Sequence, residues 1–302
     1  MWLTFNEPNM FSNGYSSTTG FTPGANASRI ADHLTAKTIL LAHARVYRLY
    51  DQHFRLKQRG NVGVTLDGAW YEPLTNSKED ADASERQLQF EVGLWANPIF
   101  SLLGNFPKVV RQRVAANSKQ EGRATSRLPT LSPSEIHLIK GTADFFRLNH
   151  YFSSFITSGS SGQEPSKLHD TGVVTSTIPD YPTAYWITDV PWGLRKLLNW
   201  VHKSYPGYPI FVTENGWGYV SAILRAINED GVPMVGYTNW SLIDSLEWMD
   251  WYTMKFGLYS VDYDDPKRPR TPKASVAVLA DIYKNKAVPW KDFENANTTP
   301  PS

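Results

Sequence analysis

Thr4-Phe5-Asn6-Glu7-Pro8 and Val212-Thr213-Glu214-Asn215-Gly216 decide the reading of this chain. Each closes a run with strand character, and each sets one glutamate where strand gives way to loop. Carboxylates at the C-terminal ends of strands are where (β/α)8 barrels carry their chemistry. A pair of them is also what glycoside hydrolysis needs: one protonates the leaving oxygen, the other attacks or stabilises the anomeric carbon.

Between and around these segments, strands alternate with helical stretches. Asn61 to Leu66 has the character of a buried strand ending at Trp70-Tyr71-Glu72-Pro73, and Asp144 to Tyr151 and Met234 to Trp240 are two more. Helices are predicted over about 30–54, with Leu34, Ile39, Leu41, Val46 and Leu49 roughly on one side, and over 84–103, 190–205, 220–229 and 274–285. Ser132-Pro133-Ser134-Glu135 is a helix start, with Ser132 as N-cap and Glu135 closing a capping box. A weakly structured hairpin is expected around Gly159–Gly162 and Pro179–Pro182. The alternation predicts a parallel α/β sheet. About five strands are found where a closed barrel needs eight, so the expectation is an incomplete barrel over 1–290, with a disordered tail over 291–302.

Composition narrows the alternatives. The chain has 302 residues, 41% hydrophobic and 20% charged, with a net charge of +1, which makes no electrostatic case for nucleic acid or an anionic membrane. It holds no run of about 18 apolar residues that could span a bilayer. Cysteine is absent, which removes disulfides, thiolate metal sites and thiol nucleophiles together. No His-x-x-x-His or clustered Asp pattern argues for a metal, and no cofactor is implied. Met1-Trp2-Leu3-Thr4 reads as the inside of a strand, so no secretory leader is expected within this sequence. Asn26-Ala27-Ser28 and Asn297-Thr298-Thr299 fit the glycosylation sequon, a triplet common by chance.

Taken in order, the motifs resemble glycoside hydrolase family 1, the β-glucosidase, lactase and myrosinase family. They run from Thr-Phe-Asn-Glu-Pro through Trp70…Glu72-Pro73, Lys140 to Phe146 and Leu148-Asn149-His150-Tyr151. Val-Thr-Glu-Asn-Gly, Trp240 to Trp248, and Phe256 to Asp262 complete the series. The resemblance covers Trp2 to about Lys286 and implies a retaining β-glycosidase acting on a carbohydrate substrate. It implies Glu7 as acid/base, Glu214 as nucleophile, Tyr151 and Asn149 as polar partners near the nucleophile, and Asn6 as the 2-hydroxyl contact. Glu247 would accept from sugar hydroxyls, Trp248 would offer its indole N–H, Trp240 would stack on the ring, and Phe256 would shape the wall near the 6-position. Trp248 and Phe256 also fit a core role, and His150 fits a packed strand residue. An acid at Glu7 points to O-glycosides, because plant-type thioglucosidases carry Gln there. Animal-type relatives are often secreted or lysosomal.

Three features depart from the family pattern. The family's first three strands, with their sugar-binding residues, are expected to be absent. The passage from Gly218 to Val220 is abruptly short, and Arg147 stands where the family commonly has Gly. The implied open barrel would expose apolar surface at about 25 cal/mol per Å² and an unpaired sheet edge. The expectation is therefore an N-terminally truncated member, inactive or weak unless a partner supplies the missing strands. The alternatives are an inactive fragment or a Klotho-like binding protein. The second would normally have lost one or both carboxylates, which are intact here.

Overall fold

The computed structural model describes residues 1–15, 21–162, 165–181 and 183–288. The expected tail over 291–302 lies outside them. Five strands form one sheet: β1 (Trp2–Asn6), β2 (Val62–Asp67), β3 (Phe146–Asn149), β4 (Ile210–Glu214) and β5 (Met234–Tyr237). They lie side by side in chain order and every neighbouring pair is parallel. Such a wall follows from repeated strand–crossover–strand units, since a parallel neighbour cannot be reached by a tight turn. All six residues of β2 and all four of β3 are buried, as expected for parallel strands covered on both faces. At the margins burial fails: Met1 is exposed just before β1, Trp2 and Leu3 are exposed on it, and Val235 is exposed on β5. The sheet is thus an open α/β wall of five strands, as the strand count implied.

The long helix forms where expected, over Ala31–His53, but it turns a different face inward. Ala36, Leu40, His43, Ala44, Tyr47 and Tyr50 are buried at three- and four-residue spacing. Leu34, Val46 and Leu49 of the predicted row are about half exposed, while Ile39 and Leu41 pack partly on the core. The helix carries two apolar rows. The one containing two alanines, both fully buried, lets the helix backbone approach the sheet closely.

Other elements differ from expectation in detail. Trp70–Pro73 is not an extension of β2 but a separate strand, paired with Ser153–Ser158 in a second sheet completed by Val173–Thr177. Ser153–Ser158 and Val173–Thr177 pair antiparallel and, with a short helix at Lys167–Thr171, give the region around the expected loose hairpin more order than its Gly and Ser content indicates. The helix expected over 84–103 begins at Lys78, passes through a π-helical turn at Gln89–Gly93, and stops at Phe100. A helix at Lys108–Gln120 adds to the predicted set. The capping box is formed: the Glu135 amide donates to Ser132 Oγ at 3.3 Å, and the Ser132 amide donates to the Glu135 carboxylate at 2.7 Å. Pro191–Ser204, Val220–Asn228 and Ala274–Asn285 form within a residue of prediction.

One large apolar cluster fills the space between the five-stranded sheet and its helices, and Phe146 lies at its centre with no exposed surface. Its ring packs 4.8 Å from that of Phe100 and 5.8 Å from that of Tyr205. Truncating a buried Phe removes transfer energy and leaves a void, at a cost of about 3–5 kcal/mol. Phe146→Ala is expected to lose that much in urea-unfolding free energy, read from the midpoint at unchanged m-value.

Candidate active site

Glu7 leaves β1 at a sharp bend. Its backbone sits in the left-handed region (φ 48°, ψ 61°), a conformation that costs a non-glycine residue about 1–3 kcal/mol and is retained where a site requires it. Pro8 then opens the helix Pro8–Asn13 at a position where its missing N–H costs nothing. Glu214 is the last residue of β4, opposite Asn149 of β3. Both glutamates therefore issue from the same end of the sheet into one cavity of about 750 Å³.

Hydrogen bonds tie the two together through β3. Asn149 Nδ2 donates to Glu7 Oε1 at 2.8 Å and to Asn6 Oδ1 at 3.2 Å, while its Oδ1 accepts from Thr213 Oγ1 at 2.7 Å. The Tyr151 hydroxyl donates to Glu214 Oε2 at 2.7 Å. Glu247, 7% exposed, accepts from Trp240 Nε1 at 3.3 Å and from Ser245 Oγ at 3.4 Å. Trp248 is 55% exposed at the rim, edge-on to Phe21, and Phe256 faces Trp186 across 6.5 Å between ring centres. Trp248 and Phe256 both line the cavity. Asn6, Glu7, Asn149, Tyr151, Glu214, Trp240, Glu247, Trp248 and Phe256 all border this one cavity. His150 is buried, pointing Nδ1 at the Gly68 carbonyl and its ring at Tyr219, as a packed strand residue does.

The two carboxyls differ in environment. Burial first, then the Asp67 carboxyl, and also Glu214, push Glu7 up to about 8, against the pull of the Asn149 amide. Glu214 is also raised, by burial first and by Asp67, with Tyr151, Asn149 and Asn6 pulling against that rise. At neutral pH the Glu7 carboxyl is arranged to hold a proton, while the Glu214 carboxylate accepts from the Tyr151 hydroxyl, a bond that favours its ionised form. Among the described residues no three His, Cys, Asp or Glu side chains stand together as a metal site.

The sequence profile described as Glycosyl hydrolase family 1 matches residues 1–223 and 218–288. The chain belongs to glycosyl hydrolase family 1. Within the family it is 38% identical over 307 residues to the lactase-like protein of Mus musculus, covering 93% of this chain and 53% of that protein. The structure of an aphid myrosinase superposes with a TM-score of 0.88 at 36% identity, covering 94% of this chain and 65% of the other. A rice β-glucosidase mutant in a covalent complex with Glc superposes with a TM-score of 0.81 at 30% identity, covering 91% and 64% respectively. The chain therefore spans less than two thirds of the length of these family 1 relatives.

Several residues of the cavity escaped the sequence reading. Asp67 ends β2 just as Glu214 ends β4, so the rule that singled out Glu7 and Glu214 was equally able to find it. Asn9, Glu91, Lys167 and Trp186 also line the cavity, and no local motif marks them.

The Glu7 shift makes a signed prediction. The folded state keeps this proton up to about pH 8, whereas the unfolded carboxyl loses it near 4.5. Over that window the native chain binds more protons, so Glu7's contribution to stability is full below pH 4.5 and is lost as pH rises through 8. Relative to wild type, Glu7→Gln is expected to gain on the order of a few kcal/mol between pH 5 and pH 8.5. Urea midpoints at the two pH values measure it, and a difference independent of pH would contradict the assignment.

Proposed function

We propose that this chain carries the site of a retaining β-glycosidase acting on β-glucosides or related O-glycosides, with Glu7 as acid/base and Glu214 as nucleophile. The observation that carries the reading is the pair of carboxyls at the same end of the sheet: Glu7 buried and proton-holding, Glu214 held by the Tyr151 hydroxyl, both opening on one cavity beside aromatic rings. The covalent Glc complex of the rice relative supports a glycosyl-enzyme intermediate for the family member it was seen in. We further take the five strands as the last five of an eight-stranded barrel, which fits their sequential parallel order.

The reaction follows from those positions. A Glu214 oxygen attacks the anomeric carbon, and the bond from that carbon to the aglycone oxygen breaks as Glu7 delivers its proton to that oxygen. A glycosyl ester of Glu214 results. Water then attacks the same carbon, returns a proton to Glu7 and frees Glu214, so configuration is retained. Tyr151 holds the Glu214 carboxylate in line by its hydroxyl. Asn6 would meet the 2-hydroxyl, and Glu247 would accept from hydroxyls on the far side of the ring. Trp240 would cover the apolar face, with Trp248 and Phe256 closing the wall.

Release of chromophore from aryl β-glucosides tests this. Slow turnover that falls to background in Glu214→Gln is the expected result, and turnover that survives that substitution would reject the nucleophile. Glu7→Gln is expected to lose about 100- to 10,000-fold in kcat/KM on a poor leaving group. On a dinitrophenyl glucoside, whose leaving group needs no proton, it should lose far less. No release by a folded wild-type chain would reject catalysis in favour of carbohydrate binding alone.

A further inference from the structure

The cavity continues beyond Glu7 into a polar recess that the steps above leave unused. Asn9, Asp32, Asp67, Glu91 and Lys167 form its walls. Asp67 stands out among them. The Glu7 amide donates to the Thr65 carbonyl at 3.0 Å, and Asn6 is paired with Thr65, so Glu7 and Asp67 emerge side by side from adjacent strand ends. Asp67 is 8% exposed. Its Oδ2 accepts from Asn9 Nδ2 at 3.1 Å, while its Oδ1 has no hydrogen-bond partner among the described residues. Asn9 is itself gripped from behind: Lys167 Nζ donates to Asn9 Oδ1 at 2.6 Å and to Ser12 Oγ at 3.1 Å. The lysine thus reaches Asp67 through an intervening amide.

Two carboxyls buried side by side in one cavity cannot both ionise cheaply, so they divide their charge unequally. The arm formed by Asn9 and Lys167 favours the charge on Asp67, and Glu7 has no cation within its own hydrogen bonds. We propose that Asp67 is the positioning residue for the proton on Glu7: held ionised through Asn9 and Lys167, it keeps the neighbouring carboxyl protonated. This rests on the reading of Glu7 as proton donor. The charged and titratable groups facing the pair fit the division. Glu214, Glu247 and Tyr151 lie on the sugar side, Glu91 and Tyr71 beside the recess, and Asp32 and Lys167 behind it. After burial, Asp67 is the largest influence raising Glu7 to about 8. Asp67 is itself raised by burial, with Asn9 and Lys167 pulling against that rise. Lys167, lowered to about 8 by burial, is kept charged by Asp32, Asp67 and Glu91.

The test is a carbon-13 NMR titration of the full chain labelled at its Glu side-chain carboxyls, with Glu7→Gln used to assign the Glu7 resonance. In Asp67→Asn the Glu7 midpoint is expected to fall by about one pH unit or more. In Lys167→Met, with the Asp carboxyls labelled as well, the Asp67 midpoint is expected to rise, because the cation that holds it ionised is gone. An unmoved Glu7 midpoint in a folded Asp67→Asn chain overturns the proposal. If that variant does not fold, an Asp67 midpoint that does not rise in Lys167→Met does so instead. Turnover is not part of this readout. A shifted titration in a chain without glycosidase activity would reject the catalytic reading alone, whereas an active chain with an unmoved Glu7 would reject this proposal alone. In an active chain the basic limb of kcat/KM is expected to move down with the Glu7 midpoint.

Discussion

The Asn149 carboxamide is the tie on which the site depends. With one side chain it binds Glu7 and Asn6 from β1 and Thr213 from β4, so the ends of three strands are fixed relative to one another. Both its donor and its acceptor ends are used, and it is 1% exposed, so no water competes for either. The parallel register supplies the coarse alignment, and this amide sets the fine separation of Glu7 from Glu214. Tyr151, two residues further on, completes the arrangement by fixing the second carboxylate. One short segment therefore orients both reacting groups, while the glutamates themselves sit on different strands.

Charge within the wall is managed in layers. At the strand ends, several acidic groups share a low-dielectric cavity, and their proton affinities are driven apart by burial and mutual repulsion. Two residues before Asn149, Arg147 is buried with its guanidinium 4.9 Å from the ring centre of Phe145 and 4.6 Å from that of Phe211. Among the described residues no carboxylate pairs with it, and burial holds its affinity for the proton below the usual arginine range. Aromatic faces take the place of a counter-ion there. The departure from the family's usual small residue is thus accommodated by stacking between neighbours on and beside its own strand.

Much of this was readable before any fold was known. The five strands of the wall, the helices at Pro191–Ser204 and Ala274–Asn285, and the Ser132 capping box follow from periodicity, Pro placement and cap chemistry, all of which act over a few residues. The second sheet was hidden because Trp70–Pro73 pairs with residues some eighty positions later, and pairing at that distance leaves no local trace. The orientation of the Ala31–His53 helix was misjudged for a related reason: both of its rows are apolar, and the preference for the alanine row comes from how closely the sheet is approached.

What the sequence by itself determined is the set of strand ends carrying Glu7, Asn149 and Glu214, and the family-ordered motifs around Trp240, Glu247, Trp248 and Phe256, because a strand end and a motif are properties of consecutive residues. Tertiary structure alone decided which of these share a cavity, and which unsuspected groups join them. Asp67, Asn9 and Lys167 meet beside Glu7 only because adjacent strands and a distant short helix converge there. The proton affinity of a carboxyl is set by how much water it loses and which charges face it, and neither quantity exists until the chain has folded.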